Sequence, residues 1–130
     1  MGGSLRLRLV CLAGAAGTGV RYLLGGWVSR TLGADFPYGT LVVNVVGSFL
    51  IGVIQPLAIP ETARVTLAVG AMGGFTTYSA FSYETVRLLE RGAWPQATAN
   101  LVLTTVLCLV VCALGLAVGR ALAARGGGLL

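Results

Sequence analysis

The residues of this sequence that are best suited to chemistry are hydroxyl, amide and aromatic side chains placed inside apolar segments. The densest group lies in the stretch 70–82, GAMGGFTTYSAFS. Its adjacent glycines, Gly73 and Gly74, are flexible, and the threonines that follow, Thr76 and Thr77, are β-branched, so a regular helix is poorly supported there. The sequence therefore predicts an interrupted helix at 73–77. Inside a membrane, such backbone must be buried in protein or line a cavity.

Aromatic residues recur around the predicted interruption at a spacing of three: Phe75, Tyr78 and Phe81. Stripes of this kind usually belong to a hydrophobic core, but here the hydroxyl residues Ser79 and Ser82 lie beside them. The edge of an aromatic ring carries partial positive charge, and hydroxyl groups donate hydrogen bonds. Such neutral donors can replace water around a small anion without trapping it. The pattern favours a path for a small anion over a purely structural core.

Two further apolar segments carry polar residues along one helix face. Asn44 and Ser48 are four residues apart, beside Gly47 and Gly52, and the amide of Asn44 offers two N–H donors. In the last segment, four residues recur at a strict spacing of four: Asn100, Thr104, Cys108 and Cys112. The glycines alone are more typical of a helix-packing seam. Polar groups inside a membrane are costly, so the asparagines are functional candidates.

The segments that must position these groups are membrane spans. Of the 130 residues, 56% are hydrophobic and 20 are glycine, against only 9 basic and 4 acidic residues. A bilayer core needs about 20 helical residues, and four stretches meet that length: 9–29, 36–60, 65–86 and 92–119. Their connections are short, and the chain has no histidine for conventional acid–base catalysis. We predict an all-α integral membrane protein with four transmembrane helices, a single domain over 1–130 and no enzymatic activity.

The charges are arranged as in a membrane protein. Every basic residue is arginine, and all but Arg21 lie at the edges of the apolar stretches, whereas nucleic-acid binders cluster basic residues on a polar face. We therefore predict no nucleic-acid partner. Four spans place five arginines on the side of the termini and three on the other, which fits one fixed orientation or insertion in both. Arg21, Tyr22 and Trp27 favour a retained first helix over a cleaved signal peptide.

Three segments of the chain resemble one known family. They are GAAGTGVRY (14–22), FPYGTLVVNVVGSFLIG (36–52) and GGFTTYSAFSYE (73–84), and they are similar to the Fluc, or CrcB, family of bacterial fluoride channels. The resemblance implies a four-helix membrane protein that works as an antiparallel dual-topology dimer with two fluoride pores. It also implies a structural sodium ion at the dimer centre. The expected function is passive export of cytoplasmic fluoride across the inner (plasma) membrane, which relieves fluoride toxicity.

The resemblance also implies roles for single residues. Backbone carbonyls of Gly73 and Thr76 would coordinate sodium, and Arg21 matches an arginine of the family's first helix. Residues expected to line the fluoride pore are Asn44, Thr77, Tyr78, Ser79, Phe81, Thr104 and Cys108. The sequence departs from the family at three positions: many relatives have phenylalanine in place of Tyr78, tyrosine is common in place of Asn100, and Cys108 is a weaker donor than serine.

Two other classes of function remain to be compared with a fluoride channel. A small dual-topology multidrug or cation antiporter has a similar size, but it needs a membrane-embedded carboxylate to exchange protons. The first span has none, and Glu84 lies near a predicted helix end beside Arg87. A structural subunit without transport would explain the glycine seams but not the interruption. The second subunit is an identical chain or an oppositely oriented paralogue, and the sequence fits both.

Overall fold

The third predicted span is divided at its centre into two helical parts. The computed structural model describes residues 2–127, and every regular element within them is helical, which confirms the all-α prediction. The elements in chain order are α1 (Gly2–Leu32), α2 (Tyr38–Ile54), α3 (Glu61–Val65), a π-helical segment (Thr66–Met72), α4 (Gly73–Phe75), α5 (Tyr78–Glu90) and α6 (Trp94–Gly127).

The interruption is shorter than the sequence predicted. Gly73 is helical, as are the two residues after it, because the N–H of Thr76 closes the last turn by donating to the Met72 carbonyl at 2.9 Å. Only Thr76 (φ −85°, ψ 156°) and Thr77 (φ −149°, ψ 115°) are extended. Thr77 then begins α5, since its hydroxyl accepts the N–H of Ala80 at 3.2 Å. The glycines therefore stay within a helix, and the β-branched threonines form the interruption.

The helix bounds differ from the predicted spans of 9–29, 36–60 and 92–119. Helices α1 and α6 extend beyond the apolar stretches because arginine is a good helix former and does not stop a helix. Helix α2 ends at Ile54, since Pro56 has no N–H to donate to the Gly52 carbonyl. Glycines in the left-handed region follow two helices, Gly33 (φ 96°) after α1 and Gly92 (φ 74°) after α5.

The loop between α2 and α3 is closed by one arginine. The guanidinium of Arg64 donates to the carbonyls of Gln55 and Leu57, the latter at 3.0 Å, and lies 3.4 Å from a carboxylate oxygen of Glu61. These carbonyls follow the end of a helix and have no helical donor. Arg64, one of the five arginines counted on the side of the termini, therefore also holds the loop in place.

Glycines set the packing of the helices. At Gly52, Gly115 and Gly119, an added Cβ would overlap backbone carbonyl oxygens across the contact of α2 with α6. The same holds at Gly17 and Gly74, where α1 packs against the helical stretch 61–75. Helix axes approach this closely only where side chains are absent. All five glycines therefore serve packing, and at Gly52 this confirms the helix-packing seam that the sequence predicted.

The outer surface of the bundle is apolar. Large hydrophobic side chains such as Leu12 and Leu109 are 70% and 68% exposed, which lipid favours and water does not. Helices α1 and α6 are long and apolar enough to cross a bilayer, whereas α2 is apolar but has 17 residues. The third predicted span is split between α3, the π-helical segment, α4 and α5. The count of four crossings stays a prediction.

Candidate functional site

The interruption is held from the α2 side by Asn44. Its Nδ2 donates to the Thr77 carbonyl at 3.0 Å, and its Oδ1 accepts the Thr77 N–H at 2.8 Å. The side chain is 7% exposed, so both bonds form away from bulk water. Asn44 thus pairs with the backbone as a neighbouring strand would, and one N–H of its amide remains free of this pairing.

From the α1 side, the interruption is held by Arg21. Its Nε donates to the Gly74 carbonyl at 3.0 Å, and the Thr18 hydroxyl approaches the same oxygen at 3.4 Å. A carbonyl near the end of a helix carries partial negative charge and lacks a helical donor. The guanidinium supplies both a donor and a compensating charge. The resemblance to the family singled out Arg21 but named no partner for it. The structure shows that Arg21 supports the broken helix.

Two other carbonyls at the interruption lose their usual helical donors. In a continuous helix, the N–H of Thr77 would donate to Gly73 and that of Ala80 to Thr76. Here the N–H of Thr77 donates to Asn44, and that of Ala80 donates to the Thr77 hydroxyl. Carbonyl oxygens released in this way are hard ligands of the kind that bind alkali cations in membrane proteins. Gly73 and Thr76 therefore fit the sodium role that the resemblance implies.

A cleft of about 420 Å³ opens beside the interruption. It lies between α2, the stretch 68–78, α5 and α6, and no residue that lines it is charged. The structure brings eight of the predicted site residues together around it: Asn44, Gly73, Thr76, Thr77, Tyr78, Phe81, Thr104 and Cys108. Ser79 and Arg21 lie outside this lining. The cleft is therefore neutral, with amide and hydroxyl groups among apolar side chains.

Two aromatic rings form part of the α5 wall. Phe81 is 7% exposed and Tyr78 is 80% exposed, with ring centroids 5.6 Å apart and planes tilted by 57°. Because the two rings are tilted and not stacked, each keeps an edge with partial positive charge that its partner ring does not cover. Phe75, which shares their spacing, is instead buried against Gly47 and does not line the cleft. Of the three aromatic residues spaced three apart, Phe75 therefore belongs to the core, whereas Tyr78 and Phe81 line the cleft.

Ser79 lies at the start of α5, outside the cleft lining. It is exposed, and its Oγ is 3.3 Å from the hydroxyl oxygen of Thr77. Thr77 itself lines the cleft of about 420 Å³. It also lines a second cleft of about 320 Å³ on the α1 side, together with Arg21 and Glu84. The side chain of Ser79 thus contacts the cleft lining through the hydroxyl group of Thr77.

Some contacts of the site were not foreseen from the sequence. The Thr40 hydroxyl donates to Glu84 Oε1 at 2.8 Å, while Oε2 of this carboxylate has no hydrogen-bond partner within residues 2–127. Thr40 precedes Asn44 by four residues, so the helical period could have placed it on the same face of α2 as Asn44. Thr85 accepts from Asn100 Nδ2 at 2.9 Å, and nothing in the sequence pairs these two residues.

Comparison with known proteins places this arrangement in a family. The sequence model described as "CrcB-like protein, Camphor Resistance (CrcB)" matches residues 8–116, which include every residue that lines the cleft. This chain belongs to the CrcB family. The resemblance to that family is thereby confirmed.

Several curated relatives of this CrcB protein share more than two fifths of its residues. A "Fluoride-specific ion channel FluC" of Sorangium cellulosum (strain So ce56) is 50% identical over 118 residues, covering 87% of this chain and 93% of the relative. A protein of the same name from Anaeromyxobacter sp. (strain K) is 54% identical over 110 residues, covering 81% and 87%. One from Geobacter metallireducens is 46% identical over 121 residues, covering 89% and 98%.

Proposed function

We propose that this chain forms a passive, fluoride-selective channel in the inner (plasma) membrane. The observation that carries the proposal is the cleft at the interruption, whose lining joins amide, hydroxyl and aromatic groups without any charged residue. The CrcB family and the names of the relatives support fluoride as the ion. Those relatives are named as ion channels, which agrees with the prediction that this chain is not an enzyme.

Selectivity in this proposal comes from donors that fit a small anion. The free N–H of Asn44, the hydroxyl groups of Thr77 and Thr104 and the ring edges of Tyr78 and Phe81 each carry partial positive charge. They replace part of the hydration shell of fluoride, whereas the larger chloride fits them less well. Cys108 continues the lining with a weaker donor, and Ser79 acts through its contact with Thr77. A neutral lining lets the ion leave as readily as it enters.

The direction of transport follows from the acid chemistry of fluoride. Hydrogen fluoride is a weak acid that crosses lipid without charge and dissociates in the less acidic cytoplasm, where the anion is trapped. An inside-negative membrane potential, about 2.3 kcal/mol per charge per 100 mV, drives the anion outward. A passive pore suffices for export, and neither ATP nor a proton-exchanging carboxylate is required. The protein would thus relieve fluoride toxicity.

The proposed assembly is an antiparallel dimer of this chain, or of this chain with an oppositely oriented paralogue. Sodium would be held by the carbonyls of Gly73 and Thr76, whose helical donors are directed elsewhere. The bound ion supplies positive charge for carbonyl oxygens that are costly to leave unpaired in a membrane. Asn44 and Arg21 hold the backbone on either side of these carbonyls, so they keep the sodium ligands in place.

Growth in fluoride tests the proposed function. The gene is expressed in a bacterium that lacks its own fluoride exporter, and growth is measured over a range of sodium fluoride concentrations. The wild type should restore growth. So should Cys11→Ser, a control substitution at an exposed residue outside the cleft. Asn44→Leu should not restore it, because the substitution removes both bonds to Thr77 and the free donor. Failure of the wild type to protect cells, despite protein in the membrane, would overturn the proposal.

A further inference from the structure

A chain of three hydrogen bonds joins α6 to α5 beside the cleft. Thr104 Oγ1 lies 3.4 Å from Asn100 Oδ1, and Asn100 Nδ2 lies 2.9 Å from Thr85 Oγ1. The Thr85 hydroxyl in turn lies 2.7 Å from the carbonyl oxygen of Phe81. Asn100 is 2% exposed and Thr104 is 8% exposed, so the chain is shielded from solvent. Both Oδ1 and Nδ2 of Asn100 therefore have hydrogen-bond partners inside the protein.

The direction of each bond follows from the groups involved. A carbonyl oxygen only accepts, so Thr85 donates its proton to Phe81, and its oxygen accepts from the Asn100 amide nitrogen. The amide oxygen of Asn100 must then face Thr104, whose hydroxyl is the donor. At 3.4 Å this last bond is the longest of the three, hence the weakest. Asn100 therefore decides where the Thr104 proton points.

The two ends of this hydrogen-bond chain lie on different walls of the cleft. Tyr78 and Phe81 belong to the α5 wall, whereas Thr104 and Cys108 belong to the α6 wall. The bond between Asn100 and Thr85 is the only side-chain hydrogen bond between α5 and α6 in the part of the chain that the structure describes. The hydrophobic effect is not directional, whereas a hydrogen bond holds its two partners at a defined distance and angle. Within residues 2–127, this bond is thus the one directed side-chain link between the two walls.

We propose that Asn100 is a positioning residue of the cleft. It fixes α6 against α5 and orients the Thr104 hydroxyl, although it does not line the cleft itself. Its effect on transport rests on the proposed function, since Thr104 and Phe81 act on the anion only if the cleft conducts one. The effect on the geometry of the walls does not depend on any transported ion.

Substitutions at both ends of the contact test this role in the full-length protein. Asn100→Leu and Thr85→Val remove the bond with little change of volume, and Thr85→Ser is the matched control that keeps the hydroxyl. Two readouts are measured: fluoride efflux from liposomes, and the rate at which a small membrane-permeant maleimide alkylates Cys108. The alkylation uses a Cys11→Ser, Cys112→Ser background, so that Cys108 is the only thiol.

The expected result is a loss of about tenfold in efflux for Asn100→Leu and for Thr85→Val, from the lost hydrogen bond. The alkylation rate of Cys108 should shift in both variants and stay at the wild-type value in Thr85→Ser. The double variant should be no worse than the more impaired single variant, because both remove one contact.

Three outcomes overturn the inference: wild-type values for Thr85→Val in both readouts, equal loss in Thr85→Ser, or full additivity in the double variant. If Asn100→Leu does not fold, Thr85→Val carries the test alone. Absence of fluoride efflux in the wild type would instead contradict the proposed function. In that case the Cys108 alkylation rates still decide whether Asn100 positions the walls.

Discussion

At the scale of the residue, the interruption is stable because side chains replace the hydrogen bonds that a helix would make. Asn44 pairs with both backbone groups of Thr77, and Arg21 donates to Gly74. A buried polar group without a partner costs about 1–3 kcal/mol, so the loss of either side chain leaves backbone groups uncompensated. Asn44 and Thr77 also line the cleft, whereas Arg21 does not. Asn44 therefore both supports the backbone and lines the cleft.

Tyr78 provides a test of the ring edges. Its hydroxyl forms no hydrogen bond within residues 2–127, whereas its ring lies against Phe81. Tyr78→Phe should therefore keep near wild-type fluoride efflux from liposomes. Tyr78→Ile should lower efflux by about tenfold, since isoleucine fills space but has no polar edge. Wild-type efflux in the isoleucine variant would show that the ring edge is not used.

At the scale of the element, glycine notches decide how closely the helices approach. Gly17 of α1 faces the Ala71 carbonyl, and Gly74 of α4 faces the Gly14 carbonyl, so α1 and the stretch 61–75 pack with direct backbone contact. This packing brings Arg21 within reach of the interruption. The π-helical segment Thr66–Met72 lies in the same contact and changes the rotation of the chain before Gly73. The path of the backbone into the interruption is thus set by helix packing as well as by local sequence.

Two glycines of α1 give a matched comparison of this packing. An added methyl at Gly17 would overlap the Ala71 carbonyl oxygen, whereas Gly19, two residues later, has nothing within 4 Å. Gly17→Ala should destabilise the protein by about 1–3 kcal/mol, measured as a lower melting temperature in detergent. Gly19→Ala should leave that temperature unchanged or raise it slightly, because alanine favours a helix. Equal melting temperatures for the two variants would contradict the packing described here.

The sequence predicts the type of each element better than its contacts. Apolar length and spacing identified the helices and placed Asn44, Thr104 and Cys108 on helix faces, because periodicity reports which side of a helix is shared. Periodicity carries no information about a partner on another helix. The bonds from Asn44 to Thr77 and from Arg21 to Gly74 span 33 and 53 residues and depend on backbone groups that the interruption releases. They became visible only with the packed structure.

At the scale of the whole molecule, a single chain leaves much apolar surface and two carbonyls without their helical donors. Helices α1 and α6 expose large hydrophobic side chains along their length. Lipid or a second copy of the chain can cover that surface. The carbonyls of Gly73 and Thr76 add a reason for the proposed dimer, since two copies would bring four such oxygens to one sodium ion.

Sodium depletion tests this proposed centre. A ligand at a hundred times its Kd stabilises the bound state by about 2.7 kcal/mol, so the dimer should melt at a lower temperature when sodium is replaced by a large organic cation at equal ionic strength. Fluoride efflux should fall in the same samples, and both should recover when sodium is restored. Unchanged melting and efflux in thoroughly depleted protein would remove sodium from the account.

The central claim is that the cleft conducts fluoride in preference to other halides. The most direct measurement is ion-electrode recording of efflux from liposomes that contain the purified protein, loaded with potassium fluoride or potassium chloride, with valinomycin added to start the flux. Fluoride should leave much faster than chloride through the wild type, and Phe81→Ile should abolish the fluoride efflux while dimers remain. Equal efflux of fluoride and chloride, or full fluoride efflux through Phe81→Ile, would contradict the account.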